Sequence, residues 1–374
     1  MEVRHNFDCL VVGGGLIGML TARELAGAGL RIAIVEAGTA GRESTWAGGG
    51  ILSPLYPWRY PEGVNLLARW SQDRYPELAA RLEAESGIDP EFVRNGLLIL
   101  DADERDIALA WSARWQRQLE VVAGEEIRRL EPRLGGVSDT ALWLPEVGQL
   151  RNPRLARALR KSVEQQEVEI FEQSPVTGLV TRGAAVRGVT TARATFRAGR
   201  VVIAAGAWSA KLLALAGLEL PVRPVRGQMI VYRARPELVR RILLHRGRYV
   251  IPRRDGRVLV GSTMEEVGFD KSTTAGAREA LVHEAIRLIP DLAGFPVEHH
   301  WSGLRPGSPT GTPYICAHPR LRGLFLNTGH FRNGVVMGPA SARLLADLLL
   351  GREPVLDPAS FRLGDDELAG RADP

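Results

Sequence analysis

Residues 8 to 36 constrain the fold more than any other stretch of the chain. DCLVV (8–12) is a short apolar run, GGGLIG (13–18) is a glycine turn, MLTARELAGAG (19–29) has a helical pattern, and RIAIVE (31–36) is a second apolar run closing on an acid. Strand, turn, helix and strand in this order predict one βαβ unit with two parallel strands. Within it Gly13, Gly15 and Gly18 keep the G-x-G-x-x-G spacing. Such glycines permit a tight turn, close approach of backbone to a pyrophosphate, and close helix–strand packing. Gly14 shares the same turn. Glu36, 18 residues after Gly18, stands where an acid accepts from a ribose hydroxyl. An acid there disfavours a 2′-phosphate and so argues against NADP. It does not separate FAD from NAD.

A chain of 374 residues is longer than one core usually supports. The rest of the sequence distributes strand-rich and helical pieces around this unit. A loop at 41–58 (GRESTWAGGGILSPLYPW) is rich in Gly, Ser and Thr, with Arg42, Ser44 and Thr45 as phosphate contacts and Gly48, Gly49 and Gly50 open to a flat ring. An amphipathic helix is expected over 62–87, helices over 103–120 and 124–130, and a helix over 151–166 with Asn152 as its N-cap before Pro153. VVIAAGAWSAKLLALAG (201–217) reads as strand, small-residue turn and helix, a second approach of backbone to a cofactor at Ala205, Gly206 and Trp208. A hairpin over 247–263 turns at Asp255-Gly256. Helix 275–289, strands 297–302 and 323–327, and helix 334–350 follow. The fold class expected is α/β (α+β overall): a Rossmann-like dinucleotide-binding domain at 1–85, 145–220 and 320–364, interleaved with a mixed or antiparallel-sheet substrate domain at 86–144 and 221–319. Residues 365–374 read as a polar tail.

The net charge of +5 does not mark a nucleic-acid binder, because the arginines are dispersed among acids and only Lys161, Lys211 and Lys271 are lysines. No apolar run is long enough to span a bilayer, and the N-terminus enters a strand without the pattern of a cleavable leader. Cys9 and Cys316 make no disulfide framework. A cytoplasmic protein is expected. There is no G-x-S-x-G elbow and no zinc spacing of Cys and His. The adjacent His299 and His300 alternate faces of a strand and read as structural.

Three positions are not explained by packing: Tyr249 in GRYVIPR, Arg305 in WSGLRPGSPTGTPYI, and Arg332 in GHFRNG. Arg305 is expected at a strand end, set at a loop mouth. Two guanidinium forks and a phenol suit a carboxylate. Met264, just past the hairpin, and Ile51 are candidate pocket residues.

Together VVGGGLIG, VVIAAGAWS, YVIPRRDGRVLVGSTM, WSGLRPGSPTGTPYI and GHFRNG resemble the D-amino-acid-oxidase/sarcosine-oxidase family of FAD enzymes, and within it the glycine-oxidase branch. The resemblance runs from about residue 7 to 362. It implies non-covalent FAD and oxidation of a small amino acid to an imine with oxygen as acceptor, without a side-chain base. It places the substrate carboxylate on Arg305, assisted by Tyr249, with Arg332 in the same pocket. It places the cofactor on the glycine turn, Glu36, the 42–50 loop, Val176, Ala205, Gly206 and Trp208, and on His330, Phe331, Arg332, Asn333 and Gly334. Sarcosine oxidases of this family carry their flavin on a cysteine, and Cys316 lies about a turn out of that register. A homo-oligomer, such as a tetramer, and a supply of imine to thiamin synthesis are further implications of the resemblance. The rival readings are an oxidase or dehydrogenase for D-alanine, D-proline or sarcosine, and an RNA-associated flavoprotein.

Overall fold

The computed structural model describes residues 2–136 and 139–364; the tail expected at 365–374 lies outside them. Among the described residues two large sheets form, each of eight strands. In the first, the central order is Tyr314–Ala317, Leu324–Thr328, Ala194–Ile203, Glu2–Val12, Ile32–Val35 and Glu169–Phe171. The inner five strands run parallel, and Tyr314–Ala317 joins antiparallel at the edge. An antiparallel pair, Val176–Arg182 and Ala185–Thr191, extends from Ala194–Ile203. The chain leaves strand Glu2–Val12 for Ile32–Val35 on one side, while Ala194–Ile203 lies on the other. That divergence is a topological switch point, where α/β sheets open a crevice beyond the carboxyl ends of their strands.

Period-two burial explains how this sheet is covered. Cys9, Val11, Ile32 and Ile34 face a core with helices Leu16–Ala26, Glu62–Gln72, Tyr75–Ser86, Asn152–Gln165 and Gly334–Leu350. Leu10, Val12, Ala33 and Val35 face the opposite core with Phe196 and Leu213.

The second sheet runs Val297–Gly307, Arg223–Arg233, Arg257–Gly261, Arg248–Pro252, Ile242–His245, Leu97–Ile99, Thr140–Leu144 and Glu120–Ala123. Its pairs are antiparallel except Ile242–His245 with Leu97–Ile99, so it is a mixed sheet. Alternation again divides it: Ile230, Tyr232, Val250 and Val260 pack under helix Ala275–Leu288, whereas Met229, Val231, Tyr249 and Ile251 face Leu55 and Tyr56 from the 41–58 loop. The expected α/β class, a Rossmann-like sheet interleaved with a mixed substrate-side sheet, is the architecture observed.

Several local expectations differ. The 62–87 stretch is two helices broken at Asp73 and Arg74, because Pro76 starts a new first turn. The helix expected over 103–120 ends at Trp115, and Glu120–Ala123 is an edge strand. The final strand of the substrate-side sheet continues to Gly307, so Arg305 lies inside it, opposite Val225. The hairpin turns at Asp255-Gly256 as expected, with Gly256 at φ 87°.

Candidate active site: a cavity between the two sheets

A cavity of about 450 Å³ opens where the carboxyl ends of the parallel strands meet the inner face of the mixed sheet. The parallel sheet contributes mainly backbone. Gly13 adopts φ 112° at the end of the first strand, and a Cβ there would lie 2.5 Å from the Ala204 carbonyl oxygen. At Gly18 a Cβ would come within 1.9 Å of the Gly13 carbonyl oxygen, so helix Leu16–Ala26 approaches the turn only because that side chain is missing. The start of this helix lines the cavity through Gly15, Leu16 and Ile17, presenting the positive end of its dipole. Thr45 reaches over from the 41–58 loop, and its Oγ1 accepts from the Leu16 N–H at 2.8 Å.

Glu36 follows the second parallel strand and lines the cavity. Its carboxylate accepts from the Gly14 N–H at 2.6 Å and the Gly38 N–H at 2.7 Å. A carboxylate has about four acceptor sites, so capacity remains for a ribose diol. Val176, Ala205, Gly206 and Trp208 line the cavity, as do His330, Phe331 and Gly334 at the start of the long Gly334–Leu350 helix. Gly14 and Gly18 stand behind this wall, and Asn333, the residue before the helix, is buried outside it. Arg42 also lies outside: it is exposed, with its guanidinium over the Trp46 ring. Ser44 lines the cavity while its hydroxyl donates to the Leu304 carbonyl at 2.9 Å.

The mixed sheet contributes side chains. Arg305 donates to the Ser262 hydroxyl at 2.7 Å and to the Thr263 carbonyl at 3.2 Å. Burial and the nearby Arg332 guanidinium push its pKa down, opposed by the Tyr249 hydroxyl beside it. Arg332 donates to the Gly247 carbonyl at 3.2 Å. Among the described residues no carboxylate lies within 4.0 Å of either guanidinium. Both charges therefore face the cavity, tied only to neutral acceptors. Tyr249 is buried, and its hydroxyl faces the Met229 sulfur at 3.7 Å. Tyr249, Arg305, Arg332 and Ile51 all line the cavity.

Met264 does not. It is 55% exposed and points from a loop into solvent, while Met229 occupies the inner face of the sheet. Sequence reasoning passed over Met229, Gly227 and Ser262. The alternation of VRGQMIVY, which puts Gly227 and Met229 on one face, is a signal that finds the first two. It also passed over the residues that brace the loop. Asn152 is not a cap: it lies inside its helix, and its Nδ2 donates to the Thr45 carbonyl at 2.7 Å. Arg253 donates to the Gly49 carbonyl at 2.7 Å. Trp46 packs edge-on against Trp301 of the mixed sheet, and Trp58 against Tyr56 and against Trp111 of helix Arg105–Trp115, so the two tryptophans fasten the loop to the sheet and to that helix.

The wall fits a flavin dinucleotide. It offers the glycine turn, a helix N-terminus and an acid at one end. The Asn327 Oδ1 and His330 Nε2 are buried, have no partner among the described residues, and belong to residues of the lining. Buried polar atoms of this kind call for a ligand or water. Among the described residues no group of His, Cys, Asp and Glu forms a metal site, and no helix is long and apolar enough to cross a membrane.

Comparison with known proteins agrees with this architecture. The profile of the FAD dependent oxidoreductase family, DAO, matches residues 8–348. The chain is 53% identical over 353 residues to a glycine oxidase of Pseudomonas aeruginosa, covering 94% of this chain and 97% of that one. It is 49% identical over 353 residues to a glycine oxidase of Pseudomonas putida, with the same coverage. The crystal structure of glycine oxidase from Geobacillus kaustophilus superposes with a TM-score of 0.91 at 33% identity, covering 97% of this chain and 99% of that one. A glycine turn, an acid-tipped second strand and a full-length match together place this chain in the DAO family of FAD-dependent oxidoreductases, among its amino-acid oxidases of the glycine-oxidase type.

Proposed function

We propose that the protein oxidises glycine and other small amino acids to the imine, which water hydrolyses to the 2-oxo acid and ammonia, with oxygen reduced to hydrogen peroxide. One observation carries the substrate class: two guanidinium groups and a phenol converge on one cavity, and among the described residues no acid pairs with either guanidinium. Two such charges held in a wall of low polarity favour an anion. The α-carboxylate of an amino acid is the anion of matching shape.

FAD, when bound, supplies the two-electron acceptor and the reaction with oxygen. Gly13, Gly15, Glu36, Thr45, Val176, Ala205, Gly206, His330 and Gly334 are the residues assigned to hold it. Arg305 anchors the carboxylate with its planar fork, Tyr249 adds one donor, and Arg332 contributes charge from the opposite wall. Fixing the carboxylate orients the α-carbon, and orientation is a large share of catalysis when the cofactor performs the redox step. In this reading the amine reacts in its neutral form, and no side-chain base is assigned to the step. Cys316 supports a non-covalent cofactor: it is buried in strand Tyr314–Ala317, outside the cavity, and burial pushes its thiol up to about 11. Supply of dehydroglycine to thiamin synthesis, and assembly as a homo-oligomer in the cytoplasm, extend this reading from the sequence resemblance.

The deciding experiment is anaerobic. Glycine added to the yellow protein is expected to bleach the visible flavin band, and admitting air to restore it. A band that stays oxidised with glycine but bleaches with D-alanine, D-proline or sarcosine moves the substrate to those acids. Bleaching that air does not reverse identifies a dehydrogenase. Arg305→Ala is expected to cost roughly 2–5 kcal/mol of substrate binding, raising KM for glycine about a hundredfold while FAD stays bound.

A further inference from the structure

We infer that Gly227 is a positioning residue, whose missing side chain is the seat on which the Arg305 guanidinium rests. The inference rests on the carboxylate-anchor reading of Arg305 and goes one step behind it. A Cβ built at Gly227 would lie 2.2 Å from Nη1, 2.2 Å from Nη2 and 2.4 Å from Cζ of Arg305. Its three nearest neighbours are thus all atoms of one guanidinium, and none is backbone.

Gly227 has no positive φ, unlike Gly13 and Gly50. It lies in the regular antiparallel pairing of Arg223–Arg233 with Val297–Gly307, opposite Gly303, with Val225 opposite Arg305. Any residue adopts that backbone conformation. Chain geometry therefore does not require glycine here. What requires it is the flat ion lying across the strand.

The neighbouring residues keep the ion from moving aside at no cost. Ser262 and Thr263 hold two of its nitrogens from the adjoining strand end. Thr263 is held in turn by Glu265, whose carboxylate accepts from the Thr263 hydroxyl and from the buried Arg226. The Gln228 N–H also donates to the Thr263 hydroxyl at 2.9 Å. A methyl at 227 would lift the guanidinium off the strand and away from these acceptors, toward the place of the carboxylate. The atoms that yield are the end of a flexible side chain, so the sheet itself tolerates the change.

The test is Gly227→Ala, Arg305→Ala and the double variant, each measured as the FAD-loaded protein. The readouts are KM and kcat for glycine, the dissociation constant of acetate from perturbation of the flavin spectrum, flavin content, and Tm. For Gly227→Ala we expect KM and the acetate constant to rise about tenfold or more, with flavin content unchanged and Tm little moved. In the Arg305→Ala background the same substitution is expected to change neither constant. If Gly227→Ala leaves both constants unaltered while Arg305→Ala raises them, the seat does not exist, though the anchor reading survives. If Arg305→Ala itself changes neither, it is the anchor reading that fails. Equal rises in both backgrounds would also overturn the inference, because Gly227 would then act without Arg305. Should Gly227→Ala fail to fold, the double variant decides: recovery of a folded, yellow protein supports the seat, and failure of both overturns it.

Discussion

The two sheets meet at one cavity but equip it in opposite ways. The parallel sheet brings glycines, a helix end and backbone N–H groups, with Glu36 as the acid at the end of its second strand. The mixed sheet brings Arg305, Tyr249 and Met229, each projecting from a strand. A dinucleotide is long and touches backbone repeatedly, so close approach matters more than any one side chain. A small carboxylate is touched at few points, so a few charged side chains carry its binding. The contrast predicts that substitutions on the first wall change cofactor retention, and those on the second change substrate binding with the cofactor in place.

The sharpest break in that contrast is Gly18→Ala. Its Cβ would collide with the Gly13 carbonyl oxygen at 1.9 Å, a backbone atom that cannot step aside. The expected product is folded, colourless protein, read from the ratio of flavin to protein absorbance. A fully yellow variant would show that the turn is not where the cofactor is gripped. Glu36→Ala is a milder version. It strips acceptors from the Gly14 and Gly38 N–H groups and from a ribose, at about 1–3 kcal/mol, so FAD affinity should fall about ten- to a hundredfold with KM for glycine unchanged once FAD is saturating.

Arg332→Ala tests an exception to that comparison, because Arg332 stands on the parallel-sheet side, in the turn between strand Leu324–Thr328 and helix Gly334–Leu350, yet is assigned to the substrate. Among the described residues the Arg332 guanidinium donates to one acceptor, the Gly247 carbonyl, and that of Arg305 to two, the Ser262 hydroxyl and the Thr263 carbonyl. It is the less constrained donor, so its loss should raise KM for glycine about tenfold, less than the loss of Arg305. Steady-state kinetics with FAD in excess checks this. An effect larger than that of Arg305→Ala would exchange their roles.

These unequal effects mirror what could be read in the sequence. The cofactor wall was legible because its parts are close together: Gly13, Gly15, Gly18 and Glu36 fall within one βαβ unit, and local spacing fixes their geometry. The substrate wall depends on pairings between distant strands. Arg305 was placed at a strand end because Pro306-Gly307 looks like a terminator, but pairing with Arg223–Arg233 carries the strand on to Gly307. Register, not spacing, puts Gly227 beside it. Proximity to the hairpin suggests Met264 as a pocket residue, yet the chain leaves the sheet after Gly261, and Met229 faces inward instead. Asn152 fitted a cap by type and by the following proline, but tertiary contact with Thr45 decided its role.

The smallest expected effect concerns His330, which belongs to the cofactor wall although it follows a strand end rather than a glycine turn. It is buried, its Nε2 has no partner among the described residues, and burial pushes its pKa down to about 3. The unfolded chain takes up this proton near pH 6.5, and the folded chain only near 3. Acid between those values favours unfolding, at up to about 1.4 kcal/mol per pH unit. The stability is complete above pH 6.5 and is lost as the pH falls toward 3. His330→Asn should therefore flatten the dependence of Tm on pH in the apoprotein between pH 6.5 and 4. Part of the slope should remain, because burial also pushes His318 down, to about 4. Equal slopes in the parent and the variant would mean that the imidazole finds a proton acceptor or water in the empty cavity. The same titration with FAD bound then reports whether His330 touches the cofactor: a ligand that satisfies Nε2 shifts the histidine's contribution, and one that passes it by leaves the two titrations parallel.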